Sequence, residues 1–365
     1  MDAWIGLMSG TSMDGIDAIL VSFPDRQIQI HATHSAPYPD DIRERLANLS
    51  QNRGSPDELG ELDHLVGALF ANAAVELLNT SDFTIEQIRG IGSHGQTIRH
   101  QPDGSAPFTL QIGDPTLIAE RTGINTVADF RRRDLAAGGQ GAPLVPAFHK
   151  AFFADTNEDR CILNLGGIAN LSHLPAGGSQ PVTGFDTGPA NSLMDAWCRH
   201  QTGQAFDKDG AWADEGQVNQ SLLTDMLSDA YFQRQPPKST GTEKFNLGWV
   251  QTTLARHPNV TAEDVQRTLL ELTAITVAQQ LPNRPEMTVF VCGGGTRNPV
   301  LVRELQRTCS PYTVKTTASI GLDPQWVEPS AFAWLARQTL AGRPGNLPEV
   351  TGAKGERILG AVYYA

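Results

Sequence analysis

One carboxylate in the chain has surroundings that suit proton chemistry. Asp186 lies in Gly184-Phe185-Asp186-Thr187-Gly188-Pro189-Ala190-Asn191, ahead of a helical pattern in which Leu193, Met194, Ala196 and Trp197 share an apolar face and Thr202-Gly203 supplies a stop. That position at a helix entrance leaves three readings open. An Asp in front of a helix is commonly just its cap. Asp-Thr-Gly also occurs in aspartic proteases, but there two aspartates share one proton, and this chain carries a single copy. The third reading is a general base that takes the proton of an attacking nucleophile in a phosphoryl-transfer site.

Glycine-rich turns favour the third. Near the start, the apolar run Trp4-Ile5-Gly6-Leu7-Met8 is followed by Ser9-Gly10-Thr11-Ser12-Met13-Asp14-Gly15 and a second apolar run over 16–23. Two strands around such a turn hold an anion well, because the glycines admit close approach and positive φ while hydroxyls and main-chain N–H groups donate. An ordinary glycine hairpin would look the same. The Gly-Lys-Ser/Thr ending of a P-loop is missing, and a strand follows where a P-loop needs a helix. The device then recurs: an apolar strand over 160–165, the turn Gly166-Gly167-Ile168-Ala169-Asn170, and a strand over 171–174. A third turn, Gly293-Gly294-Gly295-Thr296-Arg297-Asn298-Pro299, joins a buried strand over 288–292 to a helix over 300–307. Strand-turn-strand loops repeated in order predict two related α/β domains facing each other across a nucleotide cleft.

The elements that must carry these groups are partly visible in the pattern. Helices are expected over 40–51, 60–80 and 114–122, and strands over 88–93, around 108–112 and over 127–130. The strand over 88–93 ends in His94-Gly95-Gln96-Thr97, and polar side chains at the carboxyl end of a strand commonly line a crevice. Arg131-Arg132-Arg133 beside Gly138-Gly139-Gln140-Gly141 is the one dense cationic cluster, either a pocket for an anion or a solvated run. The donor-rich segment 237–246 is a cleft loop or a connection. Glu328-Pro329-Ser330 opens a helix over 331–340, where Glu328 complements the helix dipole or faces a ligand.

Composition bounds the partners. The 365 residues suit about two domains, and 40% hydrophobic with 19% charged residues describes a globular chain. A formal charge of −12 argues against nucleic acid or an anionic membrane as partner. Neither a signal peptide nor a membrane-length apolar run is evident, so a cytoplasmic location is expected. Cys161, Cys198, Cys292 and Cys309 form no CxxC pair, and three of them lie in strand-like or helical apolar contexts that fit buried free thiols. The nine histidines show no metal-ligand spacing.

Taken in order, residues 10–17, 93–97, 129–131, 138–146, 164–170, 185–191 and 238–246 resemble the anhydro-N-acetylmuramic acid kinases across essentially the whole chain. Ala190 stands where that pattern has Gly, and Thr242 where it has Arg. The resemblance implies a two-domain actin-like ATPase (ribonuclease H-like) fold with a nucleotide cleft between duplicated domains, expected here as 1–127 and 128–365 with the last segment returning to the first domain. It implies ATP and Mg²⁺ as cofactors, a small sugar as substrate, and hydrolytic opening of the 1,6-anhydro bridge with phosphorylation of O6. Asp186 and Glu328 would act on the water and the sugar. Gly10, Thr11, Ser12, Met13, Asp14, Gly15, Ile16 and Asp17 would bind ATP together with Gly166, Gly167, Asn170, Gly293, Gly294 and Gly295. Asp14 or Asp17 would reach Mg²⁺ through water. Thr97 and Arg131 would contact the sugar, Arg131 as a fork for its carboxylate. A conventional kinase acting on a free hydroxyl and an actin- or chaperone-like ATPase remain as alternatives, and a homodimer is compatible with the sequence.

Overall fold

The apolar runs of the sequence become the inner strands of two sheets. In the computed structural model, which describes residues 2–178, 180–284 and 286–365, the strands are β1 (Ala3–Met8), β2 (Gly15–Ser22), β3 (Gln29–Pro37), β4 (Ile88–Ser93), β5 (Gln96–Gln101), β6 (Phe108–Ile112), β7 (Thr126–Ala128), β8 (Arg160–Leu165), β9 (Ile168–Leu174), β10 (Thr183–Pro189), β11 (Thr288–Cys292), β12 (Thr313–Thr316) and β13 (Ala361–Tyr363). One unit comprises the residues up to Phe152 together with Trp326–Ala365, and the other is Phe153–Gln325. The expected boundary at 127/128 would cut through β7. That strand pairs with β4 on one side and with β13 on the other, so it stays with the first sheet and the division falls later.

The first unit orders its strands β13-β7-β4-β1-β2-β3, and the second β10-β9-β8-β11-β12. Around β1, β2 is antiparallel and β4 parallel; around β8, β9 is antiparallel and β11 parallel. β3 and β10 extend the antiparallel side, β7 and β12 the parallel side. The two sheets thus share one succession of strands, the ribonuclease H-like order that is duplicated in the actin-like ATPase fold. Parallel strands need both faces covered, which is why β1 and β11 are buried along their whole length and, Thr288 apart, apolar. In the first unit the helix Pro56–Asn79 contributes Val66 and Phe70 to a core with Ile5, Leu7 and Ile91. In the second, Leu269 and Leu272 of the helix Ala262–Ala278 join Leu163, Leu171 and Phe185.

Local chemistry explains where the elements depart from expectation. The helix expected from 60 starts at Pro56, because the Ser55 hydroxyl accepts the N–H of Glu58 (3.1 Å). The strand expected over 127–130 stops at Ala128, since Asp129 takes φ +59°. β3 and β5 and the helices Val145–Phe153 and Ala262–Ala278 add to the expected set. The helix expected from 331 begins at Val327, which puts Glu328 in its first turn. That helix lies on β1 and β4 at glycine: a Cβ at Gly6 would come within 1.9 Å of the Pro329 carbonyl oxygen, and one at Gly92 within 2.0 Å of that of Phe332. All four cysteines are buried, and none is in a disulfide. Among the described residues, no helix is long and apolar enough to cross a membrane.

Candidate active site

Asp186 is a strand residue. The helix Asn191–Thr202 begins later, with Ala190 as its N-cap and no side-chain cap, so the expected helix-entrance position is corrected to the middle of β10. In register, Asp186 of β10 stands opposite Asn170 of β9, which stands opposite Asn164 of β8. Paired positions share a face of the sheet, so three polar side chains form a row there. The register shifts between Asp186 and Gly188, a bulge that re-aims the strand just past the carboxylate. The 237–246 segment runs beside it. Asp186 donates its N–H to the Lys238 carbonyl (3.2 Å), Thr240 donates its N–H to Asp186 Oδ2 (3.0 Å), and the Tyr231 hydroxyl donates to the Asp186 carbonyl (2.7 Å).

The glycine turns of this unit gather at the carboxyl ends of β8 and β11. The N–H groups of Ala190 and Ser192 bond the Gly167 carbonyl (3.0 and 3.1 Å), and that of Asn191 bonds the Gly166 carbonyl (3.1 Å). The helix start is thereby tied to the β8–β9 turn. Gly293, at φ +84°, could carry no side chain, since a Cβ would meet Asn164 Oδ1 at 2.3 Å; at Gly295 it would meet Leu165 Cβ at 2.6 Å. Gly294 has nothing of its own chain within 4 Å of that position. Within the second unit, then, Asn164, Gly166, Gly167, Asn170, Asp186 and the 293–295 turn are brought to one region.

The first unit holds the other expected residues. In the turn after β1, Met13 adopts φ +54° and donates its N–H to the Gly10 carbonyl (3.3 Å). Ser9 Oγ lies 2.7 Å from both the Gly15 carbonyl oxygen and Gln96 Oε1, either of which can accept its one proton. Gly15 is required by packing, with 2.5 Å between a Cβ and the Ala36 carbonyl oxygen, whereas Gly10 would meet nothing nearer than Ser12 Oγ at 3.7 Å. Asp14 is exposed and accepts from the Ser12 hydroxyl (2.8 Å). Asp17, in β2, accepts from the Ser35 hydroxyl of β3 (2.5 Å). Thr97 lies half-buried on β5, where its hydroxyl accepts from Gln111 Nε2 (3.2 Å). No group of three or more His, Cys, Asp or Glu side chains suited to a metal occurs among the described residues.

The arginine cluster divides. Arg132 and Arg133 are exposed, and Arg132 meets Asp129 at 3.4 Å. Arg131 turns inward instead, donating to the Gly141 carbonyl (2.9 Å) and, through Nη2, to His94 Nε2 (2.8 Å). His94 Nδ1 faces two carbonyls, those of Gly95 (2.8 Å) and Ser9 (3.2 Å), so it carries the proton and leaves Nε2 as an acceptor. Burial, and then the Arg131 charge, push this imidazole down to about 3. A neutral histidine, its Nε2 accepting from Arg131, therefore fixes the guanidinium. On the other side of the 138–141 loop, fully buried Asp134 accepts from the Gly141 N–H, the Asn346 amide and the Thr351 hydroxyl, each at 2.8 Å. His94 was visible in sequence only as part of a polar strand end. Asp134 gave no signal, because two of its three partners, Asn346 and Thr351, lie more than 200 positions away.

The family model for anhydro-N-acetylmuramic acid kinase matches residues 2–365. The chain belongs to the anhydro-N-acetylmuramic acid kinase family. It is 50% identical over 366 residues to a protein of that name from Coxiella burnetii (strain RSA 493 / Nine Mile phase I), covering 100% of this chain and 98% of the relative. It is 52% identical over 369 residues to one from Xanthomonas campestris pv. campestris (strain 8004), covering 99% and 97% respectively. Against this anhydro-N-acetylmuramic acid kinase background, the two departures from pattern have plain structural settings. Ala190 is buried and keeps a negative φ (−127°) while its N–H serves Gly167. Thr242 is half-buried, and its carbonyl accepts from the Asn246 amide (3.1 Å).

Proposed function

We propose that the protein is an ATP-dependent cytoplasmic kinase that opens 1,6-anhydro-N-acetylmuramic acid with water and phosphorylates O6, giving N-acetylmuramic acid 6-phosphate and ADP in peptidoglycan recycling. Full-length family membership supports the substrate class. The observation that carries the chemistry is the Asp186 carboxylate, held by the Thr240 N–H and standing in register with Asn170 beside the Gly166-Gly167 turn.

The substrate dictates the division of labour. O6 is tied to the anomeric carbon, so no free 6-hydroxyl exists to attack ATP. In the proposed step Asp186 takes a proton from a water that attacks C1, the C1–O6 bond breaks, and O6 accepts the γ-phosphoryl group as ADP leaves. An inverting glycosidase would protonate that departing oxygen with a carboxylic acid; here the phosphoryl group caps it. Glu328, half-buried in the first turn of its helix, is assigned to orienting the water. The Gly10–Asp17 turn and the Gly166-Gly167 turn are assigned to the phosphates, and the 293–295 turn to the adenosine. Thr97 and Arg131 are assigned to the sugar. His94 then has a role as well, presenting the guanidinium in one orientation.

Exposed Asp14 suits a hydrated Mg²⁺, which takes few carboxylates and keeps its waters; Asp17, already bonded to Ser35, suits it less. When bound, Mg²⁺ would neutralise charge on the β- and γ-phosphates. The deciding experiment runs the reaction in ¹⁸O-water with ATP, Mg²⁺ and the anhydro sugar, and locates the label before anomeric exchange. Label at C1 with phosphate on O6 is expected. Unlabelled phosphorylated product would point to a conventional kinase, and ATP hydrolysis indifferent to the sugar to a chaperone-like ATPase.

A further inference from the structure

Gln96 is fully buried, yet no step of this chemistry calls on it. β1 and β4 pair as far as Leu7 and Ser93, and the His94 N–H adds one last main-chain bond, to the Leu7 carbonyl (2.9 Å). Side chains then take over. His94 Nδ1 lies 3.2 Å from the Ser9 carbonyl, and Gln96 Nε2 donates to the carbonyls of Gly10 (3.1 Å) and Thr97 (3.3 Å). Two carbonyls beside the nitrogen fix which way the amide faces, so Oε1 is the atom that meets the Ser9 hydroxyl (2.7 Å). The turn itself does not need Gln96 for satisfaction. The Ser9 hydroxyl has the Gly15 carbonyl at the same distance, and the Gly10 carbonyl has the Met13 N–H (3.3 Å).

A buried amide loses its hydration, and here it is spent on turn groups that already have partners; what it adds is orientation. The peptides of this turn are trans, and a trans peptide is planar with its C=O and N–H on opposite sides. Holding the Gly10 carbonyl inward therefore turns the Thr11 N–H outward, and His94 at the Ser9 carbonyl does the same for the Gly10 N–H. Thr11 is exposed, and neither N–H bonds to another of the described residues. We propose that Gln96 is a positioning residue that sets this turn for phosphate: by gripping the Gly10 carbonyl and the Ser9 hydroxyl from the buried side, it presents the Thr11 N–H as a donor to the nucleotide's phosphates. The inference rests on the assignment of the Gly10–Asp17 turn made above. Main-chain N–H groups aimed outward attract an anion, whereas a carbonyl swung into their place would repel it. Gln96 thus acts on the phosphates and not on the adenosine.

Two measurements test this. In Q96M, titrated without sugar, affinity for ATP with Mg²⁺ should fall about three- to tenfold, the worth of one hydrogen bond, while affinity for adenosine and melting temperature stay close to wild type. A merely structural glutamine would weaken both ligands alike or neither, and either result in folded Q96M overturns the proposal. The second readout needs no Gln96 variant. In wild type labelled with ¹⁵N-threonine, with the Thr11 amide resonance assigned by its loss in T11S, that resonance should shift and its exchange with solvent slow on adding a non-hydrolysable ATP analogue with Mg²⁺, but not on adding adenosine. An unmoved Thr11 amide overturns the proposal. ATP hydrolysis indifferent to the anhydro sugar would instead refute the proposed kinase reaction, while the two phosphate readouts still decide the role of Gln96.

Discussion

A base must be anchored as well as charged, and at the scale of single residues the environment of Asp186 meets the first need through backbone groups. The Thr240 N–H on Oδ2 and the Tyr231 hydroxyl on the main-chain carbonyl hold it from two sides. Asp186→Asn keeps size and an acceptor oxygen but removes the base. Turnover should fall by about 10²–10⁴, with ATP affinity and melting temperature close to wild type. Single-turnover kinetics with nucleotide binding and calorimetry on the same preparation check this. Retention of more than about a tenth of the rate would remove Asp186 from the role. The sequence pointed to Asp186 through its Asp-Thr-Gly context, but not to the neighbours that hold it. Tyr231 and Lys238 are 45 and 52 positions downstream, and only the fold returns them to β10.

Among elements, the glycines divide by what surrounds them. Gly6 and Gly92 allow the helix Val327–Leu340 to touch the sheet backbone, and Glu328 stands in the first turn of that helix. Gly6→Ala must push the helix away, so melting temperature and kcat should fall together. Gly10→Ala meets no such neighbour. Its melting temperature should match wild type while KM for ATP rises, on the assignment of that turn to phosphate. Thermal scans paired with ATP titrations of the two variants distinguish these outcomes, and a stability loss in Gly10→Ala would contradict the open space seen at that position. Composition made all these glycines look alike in sequence. A glycine that serves packing and one that leaves room differ only in what lies within 4 Å, often on a distant segment.

For the whole molecule, acid should act through histidine. His94, His100 and His149 all belong to the unit that contains β1, and burial is the first cause that depresses each, to about 3, 4 and 3. Below the ordinary value of 6.5 the unfolded chain takes up protons that these folded sites refuse. Stability therefore declines as pH falls from about 6.5 toward 4, by up to about 1.4 kcal/mol per pH unit for each histidine. Urea midpoints measured between pH 7.5 and about 4.5 should show this loss, and His149→Leu should flatten it. A flat midpoint in the wild type would mean these imidazoles still protonate in the folded protein.

Order along the chain determined most of the architecture: apolar runs, glycine turns and their repetition were enough to foresee two related α/β units, because strand burial and turn geometry are written locally. The motif series likewise carried the family. What tertiary structure decided was register and return. Asp186 became a strand residue opposite Asn170 through the pairing of β9 with β10, and β7 stayed in the first unit because β4 and β13 flank it. The buried partners of Arg131 and Asp186 were settled the same way. Hydrogen bonding and desolvation act over a few ångströms in space, whereas composition and periodicity report only on neighbours along the chain.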